Sequence, residues 1–205
     1  MTIGVFDSGV GGLTVVKALL NQPNAEKVIY FADTLHVPYG PRPLAQIKCF
    51  ALAITRFLVA EGAQLIIMGC NMSSAVALEE ARNEYEHRIP IFGMIEPAAC
   101  KALQITRSKR IGVLGTEGMT RGGFYSNQLK AIDPEVQVYE QACPAFVPLI
   151  EAGKLQDEET EQVAIPYLTR LKETDVDTLI LGCTHYPLIK GVLARIMGSD
   201  INFVD

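Results

Sequence analysis

The stretch LILGCTHYP, Leu179–Pro187, places a cysteine, a threonine and a histidine directly after a short apolar run. The run reads as a buried strand, and the C-terminal ends of strands in open α/β sheets are where ligands and reacting groups gather. A second stretch, LIIMGCNMSS at Leu65–Ser74, repeats the arrangement: an apolar run closing on Gly-Cys. Taken singly, a cysteine after a strand is ordinary core, because cysteine is among the most buried residue types. Occurring twice, it asks for a chemical reason.

Working outward from these two runs, β-branched stretches alternate with helical patterns. The strands expected are Ile3–Phe6, Val28–Phe31, Leu65–Met68, Ile91–Gly93, Ile111–Leu114, Val136–Glu140, Thr178–Leu181 and Ile201–Val204. Between Val28–Phe31 and Leu65–Met68, the segment Leu44–Glu61 carries Ile47, Phe50, Ala51, Ile54, Phe57 and Leu58 at the i, i+3, i+4 spacing of one buried helix face. Further helices are expected over Leu13–Asn21, Ala75–His87, Pro97–Thr106, Arg121–Ile132, Glu158–Lys172 and Pro187–Met197, with Pro166 kinking the sixth of these seven. Such alternation argues for an α/β fold with mostly parallel sheets covered by helices.

Composition agrees. Of 205 residues, 49% are hydrophobic and 20% charged, as in an ordinary folded globule. The net charge of −5 and the lack of a Lys/Arg cluster give no electrostatic footprint for nucleic acid. No apolar run approaches the roughly 20 residues of a membrane span, and the N-terminal MTIGVFDSG lacks the pattern of a secretory signal. Five cysteines, at 49, 70, 100, 143 and 183, show no CxxC pair and no histidine partners for a metal. Thiols in a reducing cytoplasm, with a small molecule as partner, are the expectation.

The halves echo one another. IGVFDSG at Ile3–Gly9 aligns with IGVLGTEG at Ile111–Gly118, and Gly69-Cys70 aligns with Gly182-Cys183, at offsets of 108 and 113 residues. A diverged duplication puts Asp7-Ser8 and Cys70-Asn71 at strand ends of one half, and Thr116 and Cys183-Thr184-His185 at the equivalent ends of the other. Two pseudo-symmetric α/β domains, 1–94 and 95–205, with their sheets facing each other across a cleft, would bring two thiols to one ligand. Inverting a carbon acid needs a proton removed from one face and another delivered to the opposite face, which paired thiol and thiolate groups do directly. An ordinary cysteine is mostly thiol at neutral pH, so neighbours must tune it. Asp7 and His185 are placed to do so.

Other readings of the same residues are blander. Asp7 in DSG suits a tight turn or a helix cap, and Glu151 after the apolar FVPLI run suits a helix end. The loop Gly9-Val10-Gly11-Gly12 is not a nucleotide cradle: a GxGxxG pattern would need glycine at Thr14, and no Gly-Lys-Ser/Thr follows. His185 lacks companions for a metal site. Cys49, Cys100 and Cys143 read as packing thiols, and His36 as a residue that shapes its loop or touches a ligand.

The motifs FDSGVGGLTV (Phe6–Val15), ADTLHVPYGPR (Ala32–Arg42), GCN (Gly69–Asn71), CPAFVPLIE (Cys143–Glu151) and LGCTHYPL (Leu181–Leu188) closely resemble those of the bacterial glutamate racemases, over essentially the whole chain. That resemblance implies a racemase needing no cofactor and no metal, which interconverts L- and D-glutamate in the cytoplasm and supplies D-glutamate for peptidoglycan. It implies catalytic roles for Cys70 and Cys183, assisted by Asp7, Glu151 and His185. It places glutamate against Asp7, Ser8, Tyr39, Gly40, Asn71, Met72, Thr116, Thr184 and His185. It further implies a homodimer with no nucleic-acid or membrane partner. Backbone amides and small polar side chains at such strand ends can bind carboxylates without a dedicated arginine.

Three departures from the family pattern stand out. CNMSSA replaces the usual CNTASA, so Met72 stands where a threonine hydroxyl would reach substrate. Pro43 replaces a serine, at a position where proline suits a helix start. Family members also continue for some tens of residues past Val204-Asp205 into a segment that returns to the first half, which implies a first domain without that return segment. The alternatives are a non-catalytic or weakly active relative that binds an amino acid or a protein, and a racemase of another small acid. Decarboxylases of the same superfamily need only one of the thiols.

Overall fold

Among the described residues every strand pairing is parallel, as expected when short, largely apolar runs alternate with helices. The computed structural model describes residues 1–22, 27–86 and 88–205 and divides into two units, Met1–Met94 and Ile95–Asp205.

The first unit runs β1 (Thr2–Asp7), α1 (Leu13–Leu20), β2 (Lys27–Ala32), α2 (Leu44–Ala60), β3 (Leu65–Met68), α3 (Asn71–Glu84) and β4 (Ile91–Phe92), with strand order β2-β1-β3-β4. Phe6, Ile66 and Met68 of the sheet pack with Ala51, Ile54 and Leu58 of α2 and Ala77 and Ala81 of α3. The buried stripe of α2 is rotated from the expected one: Leu52 and Thr55 are inside, while Phe57 is exposed and Phe50 half-buried. Thr55 tolerates burial because its hydroxyl donates to the Ala51 carbonyl at 2.8 Å. The two phenylalanines cover the rim, Phe57 edge-on to Phe31 and Phe50 stacked on His36 at 4.0 Å.

The second unit runs α4 (Ile95–Ile105), β5 (Arg110–Gly115), α5 (Glu117–Gly122), α6 (Phe124–Ile132), β6 (Gln137–Ala142), α7 (Phe146–Glu151), α8 (Glu158–Lys172), β7 (Thr178–Leu181), a 3-10 turn (Tyr186–Ile189), α9 (Lys190–Met197) and β8 (Asn202–Val204). Its order, β6-β5-β7-β8, repeats that of the first sheet. Leu114, Leu179 and Leu181 pack with Phe146, Ile150, Leu168, Tyr186 and Leu193 to make its core.

Three helix expectations change. The single helix over Arg121–Ile132 is two, broken at Gly123, whose φ of +61° interrupts the helical path. The segment Ala75–His87 forms a helix that starts earlier, at Asn71, and ends at Glu84, His87 itself lying outside the described residues. The run Pro187–Met197 opens as a 3-10 turn before becoming α-helical. The FVPLI run is a helix, α7, and Glu151 is its last residue, the helix-end position the sequence suggested. Helix α8 continues through Pro166, with Glu158, Glu159 and Glu161 in its first turn and Arg170 and Lys172 in its last, each set complementing the helix dipole. Among the described residues no helix is long and apolar enough to cross a membrane.

Candidate active site

The Gly-Cys pairs are mounted alike. In the first unit the Gly69 amide donates to the Phe6 carbonyl at 2.8 Å, and in the second the Gly182 amide donates to the Leu114 carbonyl at 2.8 Å. These bonds carry the last rungs of β3 and β7 one residue past the strands and aim the next residue off the sheet edge. Both positions are tight against a backbone carbonyl: a Cβ on Gly69 would lie 3.0 Å from the Phe6 oxygen, and one on Gly182 only 2.8 Å from that of Leu114, where a side chain is not tolerated without movement. Each mount also flanks the point where its sheet changes direction, between β1 and β3 or between β5 and β7. Such switch points are where α/β sheets bind ligands.

In the first unit Cys70, in extended conformation (φ −74°, ψ 123°), caps α3. Around it Asp7, Ser8, Tyr39, Gly40, Asn71, Met72 and Ser73 are all buried. Asp7 plays the turn role its sequence suggested: its Oδ2 accepts the amides of Gly12 at 2.8 Å and Gly9 at 3.2 Å. Its charge also acts on the thiol. Burial first, and then the Asp7 carboxylate, push the Cys70 thiol up to about 11, against the amides of Ser73 and Met72 and the Ser73 hydroxyl. Asp7 therefore favours the protonated thiol, and the thiolate depends on the first turn of α3.

The loop after β2 backs this group. Asp33 is buried, its amide donating to the Asp7 carbonyl at 2.9 Å. Its carboxylate accepts the Tyr39 hydroxyl at 2.6 Å and meets His36 Nδ1 at 2.8 Å. Burial, then this hydrogen bond, hold the Tyr39 phenol far above its ordinary range. The Tyr39 hydroxyl is thus engaged within the protein. His36 shapes the loop. Asp33 escaped the sequence reading, its only signal being its place in ADTLHVPYG.

The second unit holds a different set. Cys183 Sγ lies 3.7 Å from His185 Nδ1, and His185 Nε2 lies 2.6 Å from Glu151 Oε1 at the end of α7. A ring that donates from Nε2 to the Glu151 carboxylate presents Nδ1 to the thiol as an acceptor. The imidazole is 1% exposed, so its two ring nitrogens face protein groups and scarcely bulk water. The Tyr186 hydroxyl donates to the carbonyls of Gly115 at 3.1 Å and Cys143 at 3.2 Å, pinning the turn that carries these residues. Thr184 is buried beside Cys183. Thr116 caps α5, its hydroxyl accepting the Met119 amide at 3.4 Å.

The remaining cysteines are elsewhere. Cys49 is exposed and Cys100 partly so, while Cys143 is buried and its thiol is pushed far up by desolvation. None of the five is in a disulfide. Among the described residues no group of three or more His, Cys, Asp or Glu side chains is placed to hold a metal.

The chain is similar to known racemases. The family model described as Asp/Glu/hydantoin racemase matches residues 3–205. The glutamate racemase of Geobacter metallireducens is 46% identical over 203 residues, which is 99% of this chain and 74% of the relative. The structure of glutamate racemase isoform RacE1 from Bacillus anthracis superposes with a TM-score of 0.94 at 33% identity, over 99% of this chain and 76% of that one. That of the Francisella tularensis glutamate racemase, solved with D-glutamate, gives 0.92 at 36% identity, over 100% and 75%. With its two Gly-Cys mounts in place and these matches along its length, the chain belongs to the Asp/Glu/hydantoin racemase family, in its glutamate racemase group.

Proposed function

We propose that this chain is a cofactor-independent glutamate racemase, in which Cys70 and Cys183 exchange protons with the α-carbon. The observation that carries the reading is the repeated Gly-Cys mount, with each thiol buried beside titratable partners. In one direction the thiolate of one cysteine takes the α-proton, leaving the electron pair on Cα and the adjacent carboxylate. The thiol of the other then gives its proton to the opposite face, so one sulfur gains the proton the other loses. His185, held by Glu151, relays charge at Cys183; Asp7 and the first turn of α3 set the balance at Cys70. Backbone amides around Ser8, Gly40, Asn71, Thr116 and Thr184 serve the substrate carboxylates.

The same reading makes the protein a source of D-glutamate for peptidoglycan, acting in the cytoplasm as a homodimer, a state that light scattering on the purified protein tests. A second reading, a weakly active or non-catalytic amino-acid binder, is favoured by one observation: Met72 is buried in the turn next to Cys70. Incubation with L-glutamate in deuterium oxide separates the two. Inversion of optical rotation together with deuterium at Cα supports the racemase. Tight binding with neither change supports the binder.

A further inference from the structure

Ser73 is wholly buried in the first turn of α3, and its hydroxyl has no hydrogen-bond partner in the structure as it stands. Burying a hydroxyl unpaired is costly, by about as much as a good hydrogen bond contributes, so a fold keeps one only for a reason. Neither of the usual outlets is used: the hydroxyl does not bond back to a helix carbonyl, as Ser74 does to Cys70, and it is closed off from bulk solvent. Its place in the first turn, three residues after the capping Cys70, sets it on the helix end that carries the thiol. The Ser73 hydroxyl and amide both favour the charged form of Cys70, three residues earlier at the helix cap.

A neutral thiol is a weak hydrogen-bonding group, and a thiolate is a strong acceptor. A donor with no partner beside the thiol therefore gains one when the sulfur ionises. The other groups facing Cys70 work against ionisation or contribute little to it. Asp7 from the end of β1 repels the thiolate, and Tyr39 from the loop after β2 is turned to Asp33. Met72 presents no side-chain donor, leaving its amide and the two donors of Ser73.

We propose that the Ser73 hydroxyl is a built-in donor to the Cys70 thiolate, a positioning residue that is left unpaired in the resting protein and pairs when Cys70 loses its proton. Its bearing on catalysis rests on the racemase reading above; the hydrogen bond itself does not. In use, the arrangement spreads the ionisation cost: stability is given up in the resting state, and the charge finds its donor in place without reorganisation.

The test is the pH dependence of Cys70 alkylation by iodoacetamide, followed by peptide mass mapping in wild type, Ser73→Ala and Ser73→Thr, with the melting temperature of each. Removing the donor is expected to raise the Cys70 midpoint by about one to two pH units. Ser73→Ala should at the same time melt no lower than wild type, because it removes an unpaired buried hydroxyl. Ser73→Thr, which keeps the hydroxyl, should retain the wild-type midpoint. An unmoved midpoint in Ser73→Ala, or a lower melting temperature with the midpoint unmoved, overturns the proposal and leaves Ser73 a packing residue. Because alkylation needs no turnover, a raised midpoint in a protein that does not racemise glutamate would uphold the donor and reject the racemase reading.

Discussion

Asp7 has two jobs at one carboxylate, and they respond differently to mutation. Its oxygen holds the Gly9 and Gly12 amides, while its charge raises the Cys70 thiol. Asp7→Asn keeps an acceptor for the loop and removes the charge, so the Cys70 alkylation midpoint should fall from about 11 toward the ordinary 9.0. Stability should follow with a definite sign. Between pH 9.0 and about 11 the unfolded chain ionises this thiol and the folded one does not, so wild type loses stability as pH rises through that window. The loss should be smaller in Asp7→Asn, read as a higher melting temperature at pH 10 relative to each protein's value at pH 8. Met72→Thr addresses the buried methionine beside Cys70. If the restored hydroxyl bonds a substrate carboxylate, kcat/KM for glutamate should rise about tenfold or more, and assays with aspartate alongside show whether preference moves too. The thiols were legible in the sequence because a repeated Gly-Cys after a strand is a local pattern. Asp33 and Ser73 were not, since their significance comes from loops and turns converging on one sulfur.

Among the elements, the mounts on β3 and β7 are the parts least tolerant of change. In Gly182→Ala the new Cβ would press on the Leu114 carbonyl at 2.8 Å and on the Tyr125 ring at 2.9 Å, neither of which can yield without moving β5 or the core. Destabilisation of about 1–3 kcal/mol is expected, typical of overpacking, together with a loss of racemase activity because Cys183 shifts with its mount. Denaturant melts and kcat/KM measure the two effects. Gly153→Ala, at a left-handed position with nothing within 4 Å of the added carbon, makes a useful control for backbone strain alone. Most strands were readable as short, largely apolar runs, β3 and β7 most plainly. Helix boundaries were less so: Cys70-Asn71-Met72-Ser73-Ser74 contains several residues that prefer caps and turns, which hid the start of α3. At α5 and α6 an apolar periodicity continued across Gly122-Gly123 and masked the break.

At the scale of the whole molecule, each unit closes its own core, with Phe6, Ile66 and Met68 in one and Leu114, Leu179 and Phe146 in the other. The second is tied at the sheet end remote from Cys183 by Asp177. Its carboxylate accepts the Thr106 and Thr178 hydroxyls and the Arg107 and Ser108 amides, while its carbonyl accepts the Asn202 amide. Burial raises this carboxyl, but those hydrogen bonds together hold it well below the ordinary 3.8. Its contribution is therefore present above pH 3.8 and is lost as pH falls below that value. Asp177→Asn should melt lower than wild type at pH 7, the gap narrowing as the pH is taken below 3.8, and hydrogen exchange should locate the loss in residues 95–205. The two-unit division was visible in the sequence as an echo between halves, whereas this clamp joins residues some seventy positions apart and leaves no local trace. The echo has a further consequence for descent. Because main-chain bonds from Gly69 and Gly182 seat each sulfur, side chains around it can drift without displacing it. The copies have already done so: one thiol opens onto a helix with Asn71, Met72 and Ser73, the other onto a 3-10 turn behind Thr184 and His185. A lineage built this way can alter the proton affinity of one sulfur, or the acid it accepts, through single substitutions that leave the other sulfur untouched.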